Sequence, residues 1–433
     1  MTHQLPYGQH TLEVNCPDDA LVYQARFPAP AADPAERVLE ALAAPLGANS
    51  LMDVVKARRA GAVVVVVSDI TRPVPYRAFL ARMLAQIEAA GVSRNEVLVL
   101  IATGMHRPST AAERLEMFGA EVVRDYRIVD HRADCDAELV ELPGVSWSGN
   151  RVRLNRLFVN AGCRIVTGLV EPHFMVGFSG GRKAVCPGLV SLDTIRRFHG
   201  YEFIAHGSTR SALLEGNPCH EEALSVARQA GVDFALNVVM NHKRQVVRAF
   251  AGELEQAHAA ACAFAHACCC PRVETEADVL LTSCGGHPLD TTFYQCVKGF
   301  VSPLPAVKQG GVIICAGGCS EGIGSEEYRG ILQRYAGRWR EFLQDIQQPG
   351  VFTKDQWELQ IHTRALLKTG QEDLHFVTSG VPQPLLDTLN VRGHAVEPQH
   401  AAATVQRLLD EAARSGARVA VIPEGPYCAP VAG

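Results

Sequence analysis

Between Thr167 and Gly200 the chain sets His173, Lys183 and His199 around the turn Ser179-Gly180-Gly181. Imidazoles titrate near neutrality and a lysine amine is both a cation and a latent nucleophile, so this set suits proton transfer and small-molecule capture. Such groups are costly to bury unless something satisfies them. The run Ser179-Gly180-Gly181-Arg182-Lys183 reads in two ways. It is either a phosphate-gripping turn with free backbone N–H groups and adjacent positive charge, or a plain tight turn with a solvated Arg-Lys pair. It is not a Walker A loop, because Ala184 stands where a Ser or Thr must hold Mg²⁺, and it is not a GxGxxG dinucleotide fingerprint.

Other candidates lie further off in sequence. His106 and His173 each follow an apolar run. Two imidazoles facing one carbon from opposite sides would meet the needs of a racemase, whereas each alone reads equally as a loop-capping histidine. His199 closes a short helical pattern, where it either interacts with the helix C-terminus or ligates a metal. No HExxH pattern accompanies it, so a conventional protein-only zinc site is not expected. Arg72 could clamp a carboxylate and Asp69 could accept from ribose or ring hydroxyls, or the two could form an ion pair within their loop. Tyr294, Gln295 and Lys298 lie at the start of a predicted helix, with Gln295 and Lys298 three apart on one face.

These residues need elements to position them. Ala62–Ser68 is apolar throughout, as expected of a strand covered on both faces. Further strands are predicted at Val97–Ala102, Arg164–Leu169, Phe234–Met240, Val279–Thr282, Val312–Cys315 and Val419–Ile422. Helices are predicted from about Pro73 to Ala90, from Pro108 onward with Thr110 and Glu113 at capping-box spacing, and over Ser191–His199. The alternation predicts an α/β fold with two domains, largely parallel sheets and an active site in the interdomain cleft. Polar or glycine-rich clusters follow strand after strand: Asp69-Ile70-Thr71-Arg72, Thr103-Gly104-Met105-His106, Glu171-Pro172-His173, Gly285-Gly286-His287 and Gly317-Gly318-Cys319. Open parallel sheets bind ligands at those carboxyl ends. The expected domains are 1–270 and 271–399, with 400–433 packing back on the first.

Bulk properties exclude several classes. A net charge of −5 gives no reason to expect nucleic-acid or anionic-membrane binding. No apolar run is long enough to span a bilayer, and the first residues lack a signal-peptide pattern, so a cytoplasmic protein is expected. The 14 cysteines are scattered, and Cys315 and Cys319 have no matching second pair. They read as reduced, mostly buried small hydrophobes.

Together the segments Ser68–Pro73 (SDITRP), Thr103–Pro108 (TGMHRP), Glu171–Lys183 (EPHFMVGFSGGRK), Arg196–Gly200 (RRFHG) and Gly285–Gly299 (GGHPLDTTFYQCVKG) resemble the nickel-pincer lactate racemase family over most of the chain. The resemblance implies nickel held by pyridinium-3,5-bisthiocarboxylic acid mononucleotide, with Lys183 as its covalent anchor and His199 as the protein ligand to the metal. It implies that Asp69, Ile70, Thr71, Arg72, Gln295 and Lys298 contact the nucleotide, and that Arg72, Tyr294, Lys298 and Trp357 contact substrate. The implied isomerase reaction is racemisation or epimerisation at C2 of a 2-hydroxy acid by proton-coupled hydride transfer, with His106 and His173 exchanging the hydroxyl proton. Cofactor biosynthesis and insertion proteins are the implied partners. His287 and Thr291-Thr292 would bring polar groups near the pocket, favouring a more polar acid than lactate, or would lie behind it. A nicotinamide-dependent dehydrogenase shares the logic, but its fingerprint is missing from this chain, and a non-catalytic cofactor-binding homologue is the remaining alternative.

Overall fold

The computed structural model describes Met1 to Gly433, apart from the side chain at position 415. The chain forms two compact units. The N-terminal unit comprises Phe27–His199 and Ser208–His266, and the C-terminal unit comprises Met1–Arg26, Gly200–Gly207 and Ala267–Gly433.

The first strands, β1 (Thr2–Tyr7), β2 (His10–Asn15) and β3 (Leu21–Val22), belong to the C-terminal unit. The N-terminal unit then supplies β4 (Val63–Ser68), β5 (Val97–Ala102), β6 (Arg127–Asp130), the hairpin β7 (Leu139–Glu141) and β8 (Arg153–Asn155), and β9 (Cys163–Leu169). A second small hairpin, β10 (Pro172–His173) with β11 (Gly177–Phe178), precedes β12 (Phe234–Met240) and β13 (Val246–Gly252). The main sheet has the order β13-β12-β9-β4-β5-β6, parallel except for the edge strand β13. The chain runs outward from β4 through β5 to β6, then returns to the other side of β4 with β9, so the order reverses between β4 and β9. Such a reversal opens a crevice at the strands' carboxyl ends.

Val63–Val67 are fully buried because both faces of this sheet are covered. On one face Val63, Val65, Val67, Val99 and Ile165 join Val38, Leu42, Phe79, Leu80 and Leu84 from the helices Pro34–Ala43 and Tyr76–Ala89. The turn Gly181–Ala184 packs on β9, β12 and β4. The predicted helix at Pro108 begins at Ala111, with Thr110 and Glu113 forming the expected capping box. The helix over Ser191–His199 is observed as Leu192–Phe198, with Ser191 and His199 as its flanking caps.

In the C-terminal unit, β14 (Arg272–Val273) precedes β15 (Ala277–Ser283), β16 (Val307–Ala316), β17 (Leu374–Thr378), β18 (Arg392–Ala395), β19 (Val419–Ile422) and β20 (Val431–Ala432). Its parallel sheet has the order β18-β17-β16-β15-β19-β3. The β1–β2 hairpin (Leu5, Tyr7, Leu12, Val14) and the helix Ala401–Ala412 (Val405, Leu408, Leu409) bury one face, against Leu281, Ile314 and Val421.

Strand pairing sets the unit boundaries. The segment 400–433 belongs to the C-terminal unit, because β19 pairs directly with β15 and β20 with β14. Residues 1–26 also belong to it, since β3 pairs with β19 and the β1–β2 turn is tied to Asp290. That buried carboxylate accepts from Gly8 N at 2.7 Å and Gly318 N at 2.8 Å. Removing a buried charged acceptor leaves both amides unpaired. Asp290→Ala should therefore cost about 2–4 kcal/mol in urea unfolding and speed amide exchange in the β1–β2 hairpin; unchanged exchange there would show that the carboxylate does not hold the hairpin.

Candidate active site

The N-terminal sheet brings distant residues level. Ser68 pairs with Ala102, and Val66 pairs with Val166, so the loops beginning at Asp69, Thr103 and Val170 leave adjacent strands at one end. Tyr76 braces that end: Ser68 N donates to its hydroxyl at 2.7 Å, and the hydroxyl shares a hydrogen with Thr167 Oγ1 at 2.9 Å.

At the first of these loops, the buried Asp69 carboxylate lies 2.6 Å from His106 Nδ1 and accepts from Thr71 Oγ1 at 2.7 Å. A carboxylate has only lone pairs to offer, so His106 carries its hydrogen on Nδ1 and presents a basic Nε2 when neutral. The His106 side chain is half exposed, and its polar tip is available to a small molecule. Burial alone would raise the Asp69 carboxyl, but the hydrogen bond and charge of His106, the Thr71 hydroxyl and the Arg72 charge outweigh it and hold the group below the usual carboxylate range. Asp69 thus engages His106 and Thr71 in place of the intraloop ion pair with Arg72.

His173 leaves β9 on the β10–β11 hairpin. Its Nε2 lies 2.7 Å from Lys183 Nζ, whose ammonium can only donate, and its Nδ1 lies 3.2 Å from Met175 N. Each imidazole is thus held by a charged partner, His106 by the Asp69 carboxylate and His173 by the Lys183 amine.

The glycine turn before Lys183 is a packing device and not a phosphate cradle. Gly181 N is already used, donating to Asn237 Oδ1 at 2.9 Å, and Ser179 N donates to Glu171 O. Both glycines have positive φ, and a Cβ on Gly181 would meet the His258 ring at 2.7 Å. Arg182 is not solvated either. Its guanidinium is buried, donating to Phe178 O (2.9 Å), Val176 O (2.7 Å) and His258 Nε2 (2.8 Å). Burial draws Arg182 down to about 10, still cationic at neutrality. Burial first, and the Arg182 charge second, hold His258 well below its ordinary value, as a neutral acceptor. Arg182 thereby clamps β11, the partner of His173, beside the adjacent Lys183.

His199 closes the helix Leu192–Phe198 and donates from Nδ1 to Ile195 O at 2.9 Å. Its pKa is lowered to about 4, chiefly by burial, with further contributions from the nearby Lys183 and His106 charges. It is therefore a neutral imidazole whose basic nitrogen is Nε2, the state a metal ligand requires. Among the described residues no group of three or more His, Cys, Asp or Glu side chains is arranged to hold a metal.

The remaining candidates lie in the C-terminal unit, on the helices Phe293–Val301 and Gln356–Thr369. Lys298 Nζ donates to Gln295 Oε1 at 2.7 Å, as their spacing predicts, and Trp357 Nε1 donates to Tyr294 Oη at 3.0 Å. Thr292 serves as the N-cap of the first helix, its hydroxyl accepting from Gln295 N. Asn237, His258, Tyr76 and Thr71 take part in the site's hydrogen bonding. Of these only Thr71 lies within a sequence motif, and nothing in residue type marks the other three.

The fold is that of an α/β protein with largely parallel sheets, and the candidate residues Asp69, His106 and His173 follow the carboxyl ends of its parallel strands. The chain belongs to the lactate racemase family: the model of the lactate racemase N-terminal domain matches residues 7–212 and that of the C-terminal domain matches residues 273–427. It is 36% identical over 379 residues to a lactate racemase of Thermoanaerobacterium thermosaccharolyticum, covering 84% of this chain and 85% of the relative. It is 32% identical over 431 residues to one from Lactiplantibacillus plantarum, covering 97% of each. Its structure is similar to that of the lactate racemase apoprotein from T. thermosaccharolyticum, with a TM-score of 0.87, 30% identity and full coverage of both chains. A Thermotoga maritima structure at 17% identity and a TM-score of 0.65, covering 94% of this chain and all of that one, shares the fold.

The Asp69–His106 bond makes a pH prediction. Asp69's folded pKa lies below its unfolded value of about 3.9, so its stabilisation is complete above about pH 5 and is lost as pH falls through the folded value. Asp69→Asn should cost about 1–3 kcal/mol near neutrality, and the gap to wild type in urea unfolding should narrow as pH drops toward 3. A gap that stays constant on acidification would mean that the carboxylate's charge is not what His106 senses.

Proposed function

We propose that this chain racemises lactate, with His106 and His173 moving the hydroxyl proton at the carboxyl ends of β5 and β9. The carrying observation is that both imidazoles are held in place: Asp69 orients His106 and leaves Nε2 as its basic nitrogen, and Lys183 holds the Nε2 edge of His173. One imidazole withdraws the hydroxyl proton of one enantiomer and the other returns a proton to the oxygen after the carbon has inverted. The roles exchange for the opposite enantiomer, as a reversible reaction requires. Fixed rings contribute by orientation as well as by basicity.

The donor set fits the nickel-pincer nucleotide of this family. His199 is a neutral imidazole with its Nδ1–H already committed, suited to be a single protein ligand to a metal that a cofactor otherwise holds. Lys183 supplies the primary amine for covalent attachment, held beside His173. When bound, the nucleotide supplies a two-electron acceptor for the C2–H bond. Ile70, Thr71, Arg72, Gln295 and Lys298 are assigned to the nucleotide, and Arg72, Tyr294, Lys298 and Trp357 to the substrate, with Arg72 and Lys298 as the cations for its carboxylate. Asp69 acts through His106. Because Thr292 is spent as a helix cap, it gives no reason to prefer a more polar acid over lactate. Loading requires the proteins that make and insert the cofactor.

In protein coexpressed with that pathway, chiral analysis of L- or D-lactate should show conversion to the racemate without added NAD. His106→Ala and His173→Ala should each lower kcat by about 10²–10⁴-fold. His106→Ala should keep the wild-type adduct mass, since it leaves the Lys183 amine intact. Normal turnover in either variant would contradict the two-imidazole assignment. Lys183→Ala should abolish the covalent adduct in intact-mass measurement, and an unchanged adduct would overturn its role as anchor.

A further inference from the structure

A second chemical cluster lies within the C-terminal unit. Cys284 follows β15, Cys315 lies near the end of β16, Cys319 lies in the loop after β16, and Cys296 lies on the helix Phe293–Val301. All four thiols are buried. Cys284 Sγ is 3.4 Å from Cys315 Sγ, and Cys296 Sγ is 3.6 Å from Cys319 Sγ. The backbone is shaped to admit them. A Cβ on Gly317 would lie 2.8 Å from Cys296 Sγ and 2.9 Å from Cys284 Sγ, and one on Gly299 would lie 2.9 Å from Cys284 Sγ. Glycines on two separate elements thus leave room for sulfur where an ordinary core would place a methyl group.

We propose that these thiols are a two-electron redox site, closing Cys296–Cys319 and Cys284–Cys315 disulfides on reaction with a hydroperoxide. In the Cys296–Cys319 pair, the Cys296 thiolate attacks the peroxide oxygen and the O–O bond breaks, leaving Cys296 as a sulfenic acid and releasing water or an alcohol. Cys319 sulfur then attacks Cys296 sulfur, the S–O bond breaks, and water leaves with the Cys319 proton. Each bridge consumes one hydroperoxide and two thiol hydrogens. Burial alone would raise the Cys296 thiol, but the S–H groups of Cys284 and Cys319 bring it down to about 6, which favours it as the attacking sulfur. Ser320 and Glu321, the residues after Cys319, are exposed, so one local opening of this loop admits a small peroxide.

The consequence reaches the site described above, and this part rests on the proposed function. Cys296 is next to Gln295 and two residues before Lys298. Drawing its sulfur from 3.6 Å to a bond of about 2.05 Å pulls the helix toward the Gly317–Cys319 loop. A shift of about 1 Å in positioning groups costs on the order of 10²-fold in rate.

The test treats the intact chain with hydrogen peroxide under native conditions, blocks remaining thiols with N-ethylmaleimide, and maps unreduced peptides by mass. Cys296–Cys319 and Cys284–Cys315 peptides should appear first among the 14 cysteines and vanish with dithiothreitol. If these four residues stay alkylated while others oxidise, or reach sulfinic acid without linking, the redox site is refuted. In the holoenzyme, racemisation should fall by on the order of 10–100-fold and recover on reduction, whereas Cys319→Ala should keep basal activity and lose the response. Bridges that form without loss of activity would refute the coupling to the helix. A reduced holoenzyme with no racemase activity would count against the proposed function, and peptide mapping would still decide the thiol site.

Discussion

The parallel pairing of β9, β4 and β5 is the constraint on which the site depends. Asp69 and His106 are separated by 37 residues and meet at 2.6 Å only because Ser68 and Ala102 are register partners. The Val66–Val166 pairing brings the end of β9 to the same level, and with it the hairpin that carries His173. A slip of one residue in either pairing would turn every apolar side chain of the moved strand to the opposite face. The uninterrupted valines of β4 tolerate burial on both faces, so it is the packed helices and the bracing hydroxyls of Tyr76 and Thr167 that pin this end.

The charge arrangement follows from the same economy of space. A buried arginine without a carboxylate partner is unusual, and Arg182 is tolerated because three groups on one loop and one helix accept its hydrogens. The result is local rigidity: the guanidinium fixes the backbone of β11 while the next residue, Lys183, stands beside His173. His199 is kept neutral by burial and by positive neighbours, whereas Asp69 is kept ionised by its partners. Each group is thus held in a single protonation state near neutrality.

Much of the fold is legible because doubly covered strands are written as apolar runs. Val97–Ala102, Phe234–Met240 and Val419–Ile422 are strands to the residue. The strand Leu374–Thr378 escapes sequence reading because His375 interrupts its apolar run, and β1–β2 escapes it although Leu5, Tyr7, Leu12 and Val14 alternate. The hairpin's return to the C-terminal unit depends on partners almost the whole chain away. Residue types single out His106, His173, Lys183 and His199 as candidates, but not their hydrogen-bond roles. The Gly180-Gly181 turn reads equally as an anion cradle until Asn237 and His258 are seen to occupy its amide and its open side. Contacts between segments so far apart leave no local pattern in sequence.

The central claim is that the two imidazoles handle only the oxygen-bound proton and never take the hydrogen from C2. Its most direct test is racemisation of lactate deuterated at C2, in ordinary water, with the isotope content of the inverted product measured by mass spectrometry. Retention of most of the label in the product is the expected result. Complete exchange with solvent at each turnover would mean that a side-chain base removes the C2 hydrogen as a proton, and His106 and His173 would then not be confined to the hydroxyl group.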